Sequence, residues 1–103
     1  MQTRQILKKK TTLTKELVVL NRSGIHARVS TMIAQQCREF SSEVRLRNGH
    51  TVADCRSVLN LLSLGASNGM TVHLEVTGED AADAMNVVVA LFESRFNEDD
   101  ESL

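Results

Sequence analysis

The most informative absences in this 103-residue chain are side-chain types: it contains no Trp, no Tyr and no Pro, and only three Phe. Stacking platforms for bases and aromatic cages for cationic ligands need several aromatic rings, so both kinds of site are nearly excluded. Polyproline II segments are excluded as well, because they depend on proline. No apolar run approaches the roughly 18 residues of a membrane-spanning helix, so we expect no membrane partner.

Cysteine is also scarce, and neither sign of charge dominates. The two cysteines stand 18 positions apart and do not make a disulfide framework, so we expect reduced thiols in a cytoplasmic protein. Twelve Lys and Arg against thirteen Asp and Glu give a formal net charge of −1. Because nucleic-acid-binding proteins usually carry a basic excess, we expect no nucleic-acid partner. The charged N-terminus has no continuous apolar stretch, so no secretory signal is expected.

The hydrophobic pattern between the chain ends alternates between the period of strands and the period of helices. Strands are predicted over residues 16–21, 43–47, 51–54 and 71–77. Helices are predicted over residues 27–40, 57–64 and 80–96. This βαββαβα order predicts an α+β fold, an open-faced β-sandwich in which a four-stranded antiparallel sheet carries three helices on one face. The other face of the sheet is expected to carry Arg45, Arg47, His73 and Glu75.

The two ends of the chain differ from the middle in their charge. Basic side chains concentrate near the N-terminus and acidic ones near the C-terminus. We therefore predict an N-terminal extension over residues 1–14, one domain over residues 15–97 and an acidic C-terminal tail over residues 98–103. Charged ends of this kind are usually solvated, and we expect the same here. The alternative, that the ends attract each other or a partner, has no support in the sequence.

Histidine is the side chain in this sequence best suited to chemistry near neutral pH. His50 falls in a predicted hairpin turn and His73 on the polar face of a strand, so both are expected to be solvated. His26 directly precedes the first predicted helix, whose outward N–H groups and partial positive charge favour anions. A neutral imidazole can attack phosphorus, and Arg28 can bind phosphate oxygens. From this local pattern alone, a chance His and Arg at a helix start remains an open alternative.

The second predicted helix crowds apolar side chains into a short segment: Val58, Leu59, Leu61, Leu62 and Leu64. A short helix cannot bury them all against one sheet, so we expect some to remain exposed as a surface for docking proteins. The alternative that all of them are core residues stays open. Ser57 is the expected N-cap of this helix. The His and Cys residues show no spacing typical of metal ligands, so no metal and no cofactor is expected.

Two motifs resemble those of the HPr family, the phosphocarrier proteins of the bacterial phosphotransferase system. The first reads Gly-Ile-His-Ala-Arg over residues 24–28, and the second reads Arg-Ser-Val-Leu-Asn-Leu-Leu-Ser-Leu-Gly over residues 56–65. The spacing of 31 positions between His26 and Ser57 and the predicted order of elements are also similar to the family. The sequence over residues 88–100 looks like NPr proteins, the nitrogen-related branch, so sugar uptake and nitrogen-related regulation both stay open.

The resemblance implies a phosphocarrier rather than an enzyme. Enzyme I, charged from phosphoenolpyruvate, would transfer a phosphoryl group to Nδ1 of His26, which would pass it to EIIA-type proteins, with Arg28 as charge partner. The implied docking residues are Ala27, Val58, Leu59 and Leu62. Ser57 matches the regulatory serine that some bacteria phosphorylate with an HPr kinase/phosphorylase. We expect the carrier to be a monomer.

Two features depart from the family pattern. Val29 stands where the family usually has Pro, which changes the first helical turn, and the N-terminal extension has no counterpart. The alternative function is a non-transferring regulatory binding module controlled by phosphorylation of Ser57. An RNA-binding sheet is a weaker alternative, because none of the three Phe falls on the predicted open strands.

Overall fold

The structure, a computed structural model, describes residues 11–98. Its elements in chain order are β1 (Thr11–Val18), α1 (Ala27–Cys37), β2 (Glu43–Asn48), β3 (Thr51–Asp54), α2 (Val58–Leu62), β4 (Thr71–Gly78), α3 (Ala81–Glu93) and a 3₁₀ turn (Arg95–Asn97). The four strands form one antiparallel sheet in the order β1-β4-β2-β3. The predicted α+β open-faced sandwich is therefore confirmed.

The alternating strands divide the sheet into an apolar and a polar face. Val72, Leu74 and Val76 of β4 are buried, and Val44 and Leu46 lie opposite the last two on β2. Beneath α1, α2 and α3, these side chains form one core. The other face carries the side chains predicted for it, Arg45, Arg47, His73 and Glu75. The period of two thus predicts correctly which strand residues point inward.

The first strand lies earlier in the chain than residues 16–21, and that prediction was wrong in its bounds. β1 begins at Thr11 because the threonines of its first half are β-branched and favour a strand. The whole strand pairs with β4, from Thr11 opposite Gly78 to Val18 opposite Thr71. Val19 has left the strand, although its N–H still donates to the Met70 carbonyl at 2.9 Å. The last part of the predicted extension, residues 11–14, therefore belongs to the sheet, and residues 1–10 lie outside the described residues.

α1 ends at Cys37, three positions before its predicted end. The chain turns away because the backbone N–H groups of Ser41 and Ser42 each donate to the carboxylate of Asp80 at 2.9 Å. Asp80 is the residue at the start of α3, as predicted, but its side chain binds this loop and makes no cap bond to its own helix. α2 is shorter than residues 57–64 and begins, as predicted, after Ser57 as N-cap.

α3 ends at Glu93 instead of continuing to residue 96. Phe96 follows in a 3₁₀ turn and is fully buried, with its ring centroid 5.0 Å from that of Phe92 in an edge-to-face contact. The two cysteines, Cys37 and Cys55, are free thiols within the core. Across residues 11–98, no helix is both long and apolar enough to cross a membrane.

Candidate functional site

His26 is the N-cap residue of α1. Its backbone is extended, with φ −104° and ψ −169°, and its Nδ1 accepts a hydrogen bond from the backbone N–H of Arg28 at 3.3 Å. The side chain is 34% exposed, so the ring is reachable from solvent. Nδ1 therefore faces the positive end of the helix, where an anionic group is electrostatically favoured.

The loop that leads into His26 packs closely against the loop between α2 and β4. The N–H of Ile25 donates to the carbonyl of Ala66 at 3.0 Å. Gly24 has φ +71°, and a Cβ at this position would lie 2.8 Å from the same carbonyl oxygen. Glycine is therefore required at this close approach, and the approach fixes the direction in which the chain enters α1.

The second ring nitrogen of His26 contacts Glu98, which was expected to lie in a solvated tail. Oε2 of Glu98 is 2.7 Å from Nε2 of His26 and 2.9 Å from Nη2 of Arg28. Oε1 accepts a hydrogen bond from Nδ2 of Asn21 at 3.1 Å. The Glu98 side chain is only 13% exposed. The expectation of a solvated tail is thus wrong for Glu98, and residues 99–103 lie outside the described residues.

These contacts stabilise the ionised form of the Glu98 carboxyl. The hydrogen bond from His26 is the largest cause that lowers its pKa, to about 2, and Arg28 and Asn21 act in the same direction against the opposing effect of burial. An ionised carboxylate can only accept hydrogen bonds. Nε2 must therefore be the donor of the neutral His26 ring, which leaves the lone pair on Nδ1.

A left-handed turn brings Glu98 to this position. Arg95, Phe96 and Asn97 have φ of 56°, 55° and 60° in succession. The left-handed region costs roughly 1–2 kcal/mol for each residue that has a Cβ. The buried Phe96 ring offsets part of this cost, and the Phe96 carbonyl accepts a hydrogen bond from Nη2 of Arg28 at 3.1 Å. The turn contains no glycine, so nothing local in the sequence predicts its left-handed backbone.

The guanidinium of Arg28 lies beside Glu98, on the Nε2 side of the His26 ring. Its Nη2 contacts Glu98, and its Nη1 lies 3.1 Å from Sδ of Met32. Arg28 thus contributes two groups on different sides of the ring: a backbone N–H at Nδ1 and a guanidinium beside Glu98. The guanidinium is about half exposed, so it can move without unpacking the core.

Ser57 occupies the corresponding position at the start of α2. Its Oγ accepts a hydrogen bond from the backbone N–H of Asn60 at 3.1 Å, and the side chain is half-buried. This is an ordinary N-cap, as the sequence predicts. It lies on a different helix from His26, and α1 and α2 pack against each other.

The apolar residues of the α2 segment divide between core and surface. Leu61 and Leu64 are buried, whereas Leu59 is 77% exposed and Leu62 is 41% exposed. Ala27 at the start of α1 is also exposed, and Val58 is half-buried. The expectation that some apolar side chains remain exposed is confirmed, and the alternative that all are core residues is wrong.

The remaining histidines are not part of the His26 site. His50 is exposed in the turn between β2 and β3. The side chain of His73 is 40% exposed, and its Nδ1 lies 3.7 Å from a carboxylate oxygen of Glu16 on the open face of the sheet. Within residues 11–98, no group of three or more His, Cys, Asp or Glu residues could hold a metal ion.

Comparisons with known proteins agree with this architecture over most of the chain. Residues 13–94 match the family model described as "PTS HPr component phosphorylation site". The chain is 38% identical over 87 residues to the phosphocarrier protein HPr of Cupriavidus necator, covering 84% of this chain and 97% of that protein. It is 36% identical over 89 residues to the phosphocarrier protein NPr of Escherichia coli K12, covering 85% and 99%. The crystal structure of HPr-C-His from Thermoanaerobacter tengcongensis matches with a TM-score of 0.77 and 31% identity, covering 86% and 98%.

Proposed function

This chain belongs to the HPr family of phosphocarrier proteins of the phosphotransferase system, and from that premise we propose that His26 is its phosphoryl-carrying residue. Phosphorylated enzyme I donates the group to Nδ1 of His26, and an EIIA-type protein accepts it. Relatives of the HPr and NPr types have similar identity to the chain, so the acceptor belongs to sugar uptake or to nitrogen-related regulation. In this role the protein is the phosphorylated intermediate and not a classical enzyme.

The observation that carries the proposal is the environment of Nδ1 in His26. This nitrogen keeps its lone pair when the ring is neutral, and the only hydrogen bond it accepts among residues 11–98 is a long one of 3.3 Å from Arg28 N–H. It lies at the N-terminus of α1, in a side chain that is about one third exposed. A phosphoryl group bonded to Nδ1 would meet outward N–H groups and the positive end of the helix. Phosphoryl transfer depends mainly on positioning and electrostatic stabilisation, and both are present here.

Arg28 is the proposed charge partner of the phosphoryl group. Its backbone N–H already faces Nδ1 at 3.3 Å. Its half-exposed guanidinium can exchange part of its contact with Glu98 for phosphoryl oxygens when a partner brings them near. A guanidinium binds such oxygens with strong, charge-assisted hydrogen bonds.

Partner proteins are proposed to dock on the exposed apolar side chains of α2 and the start of α1, which are Ala27, Val58, Leu59 and Leu62. A small apolar surface suits the short-lived complexes of a carrier better than a large interface does. Because Leu59 is 77% exposed, Leu59→Ala should raise the KM for enzyme I without lowering the Tm. An unchanged KM would remove Leu59 from the docking surface.

Ser57 is the proposed site of regulatory phosphorylation, with an HPr kinase/phosphorylase as partner in organisms that have one. A phosphoryl group at this N-cap would be favoured by the helix and would add negative charge beside Val58 and Leu59. The kinase and ATP should modify the wild type and not Ser57→Ala. An unmodified wild type would reject this role.

A non-transferring binding module is not favoured, because the chain belongs to a family of carriers.

The test of the proposed function is incubation with enzyme I and phosphoenolpyruvate, followed by intact-mass measurement before and after acid treatment. The wild type and His73→Ala should each gain one acid-labile phosphoryl group, and His26→Ala should gain none. His73→Ala is a matched control because His73 also lies near a carboxylate but not at a helix start. A wild type that gains nothing from an active enzyme I would refute the proposal.

A further inference from the structure

We infer that Glu98 is a positioning residue for His26. Its carboxylate accepts a hydrogen bond from Nε2–H of the ring and so keeps Nδ1 directed towards the start of α1. It also balances the positive charge that the ring acquires when it takes a phosphoryl group. This inference rests on the proposed function, because it describes how the same ring would be prepared for transfer.

The carboxylate is held by donors from separate segments of the chain. Oε2 lies 2.7 Å from Nε2 of His26 and 2.9 Å from Nη2 of Arg28, and Oε1 accepts from Nδ2 of Asn21 at 3.1 Å. The same Nδ2 also donates to the Gly24 carbonyl at 2.8 Å, so Asn21 ties the carboxylate to the loop before α1. With 13% of its side chain exposed, Glu98 has little room to turn away from the ring.

The backbone before Glu98 provides an independent observation. Three consecutive residues, Arg95, Phe96 and Asn97, adopt left-handed φ, an arrangement that ordinary chain ends have no reason to keep. The turn is fastened from two sides, by the buried ring of Phe96 and by the hydrogen bond from Arg28 to the Phe96 carbonyl. Its consequence is that the next side chain, Glu98, lies against the His26 ring.

The proposed role fits the charges of the transfer step. The Nδ1 lone pair gives up its long hydrogen bond from the Arg28 N–H and forms the bond to phosphorus, while the bond from phosphorus to enzyme I breaks and its electron pair leaves with enzyme I. The Nε2 proton stays in place, so the ring becomes a phosphorylated imidazolium whose positive charge faces the Glu98 carboxylate. In onward transfer the electron pair of the Nδ1–phosphorus bond returns to Nδ1, and the ring is neutral again with the same Nε2 proton. No proton has to enter or leave the site.

Three variants distinguish a positioning role of Glu98 from a purely structural one, in which Glu98 only holds the last described residues against the domain. They are Glu98→Ala, Glu98→Gln and the control Glu93→Ala. Glu93 is an exposed carboxylate at the end of α3 and does not reach the ring. The first measurement is the rate of phosphoryl acceptance at several concentrations of phosphorylated enzyme I. The second is the NMR signal of the His26 Nε2–H proton, recorded at about pH 9, where an ordinary imidazole is neutral.

We expect Glu98→Ala to lower the maximal rate on the order of tenfold to a hundredfold, with an unchanged KM, and to lose the protected Nε2–H signal. Glu98→Gln should lie between Glu98→Ala and the wild type, because its amide oxygen can still accept the hydrogen bond from Nε2–H but carries no charge. Glu93→Ala should match the wild type in both measurements. The Gln variant preserves the size of the side chain, so it decides the question if Glu98→Ala does not fold.

Three results would overturn the inference: equal maximal rates in wild type and both Glu98 variants, a change confined to KM, or faster acceptance in the variants. The last would mean that the carboxylate competes with the phosphoryl group for Arg28. A wild type that accepts no phosphoryl group would reject the proposed function itself, so the two failures are distinguishable.

Discussion

The starts of α1 and α2 use the same backbone arrangement with different side chains. His26 caps α1 through Nδ1, which accepts from Arg28 N–H at 3.3 Å, and Ser57 caps α2 through Oγ, which accepts from Asn60 N–H at 3.1 Å. Both helix starts direct unpaired backbone N–H groups outward. The His26 ring also has a carboxylate on its far nitrogen, whereas the Ser57 hydroxyl, within residues 11–98, hydrogen-bonds only to the backbone. If the proposed function holds, the α1 start with its nucleophilic ring accepts a phosphoryl group directly, whereas the α2 start needs a separate kinase.

An arginine accompanies each of these two helix starts, and the contacts of the two arginines also differ. The guanidinium of Arg28 binds the Glu98 carboxylate beside the His26 ring. The guanidinium of Arg56, which precedes Ser57, donates to the Phe40 carbonyl and, at 3.5 Å, to the Cys37 carbonyl at the end of α1. Arg28 therefore joins the start of α1 to Glu98 and Phe96 beside the His26 ring, whereas Arg56 joins the start of α2 to the end of α1 and the loop after it.

We expect the greatest change in transfer rate when each of these two arginines is replaced by alanine in a separate variant. Arg28→Ala should lower the rate of phosphoryl acceptance about a hundredfold, the usual scale for losing one positioned donor. It should also lower the Tm, because the guanidinium holds the Glu98 carboxylate and the Phe96 carbonyl. Arg56→Ala should lower the Tm and leave the rate of the folded protein within about twofold, because its guanidinium binds the end of α1. Kinetics with enzyme I measure the rates of both variants, and thermal unfolding measures their Tm values. A wild-type rate in Arg28→Ala, or a large loss of rate in folded Arg56→Ala, would contradict the distinction between the two helix starts.

The next effect is a pH dependence of folding stability that arises from the Glu98 contacts at the start of α1. The pKa of Glu98 is lowered from 4.5 to about 2, chiefly by the hydrogen bond from His26, so its contacts stabilise the fold fully above about pH 4.5. That stabilisation is lost as the pH falls through about 2. Glu98→Gln should therefore be less stable than the wild type by about 2 kcal/mol at pH 7, and the difference should vanish towards pH 2. Urea unfolding across this range measures it, with Glu93→Gln as the control; a difference independent of pH would contradict the assigned contacts.

The smallest effect concerns the α2 start. Ser57→Ala removes the cap of a short helix and should lower the free energy of unfolding by about 1 kcal/mol. It should accept a phosphoryl group from enzyme I at nearly the wild-type rate, because the hydroxyl takes no part in the chemistry at His26. Denaturant unfolding and the enzyme I assay test the two statements. A large loss of transfer in this variant would show that the two helix starts act together.

Much of the fold follows from local patterns in the sequence. The alternation of Val72, Leu74 and Val76 identifies the buried face of β4, because side chains of a strand point in turn to opposite faces. The N-caps His26 and Ser57 are also local features, since a cap involves a few neighbouring residues. The start of β1 at Thr11 lies next to the basic stretch Lys8–Lys10, whose charge hides the strand preference of the β-branched threonines that follow.

The Glu98 contact could not be predicted in the same way. It joins residues 72 positions apart and depends on a left-handed turn that contains no glycine. Phe96 is the one sign in the sequence: an aromatic residue two positions before Glu98 needs a buried position, and its burial brings the next residues back to the domain. Long-range contacts of this kind arise from packing, which hydrophobic periods do not describe.

The most direct test of the central claim is NMR of the phosphorylated protein with ¹⁵N-labelled histidine, in which the coupling between ³¹P and ¹⁵N identifies the phosphorylated nitrogen. We expect phosphorus on Nδ1 of His26, with the proton retained on Nε2 opposite Glu98. Phosphorus on Nε2, or on any residue other than His26, would contradict it.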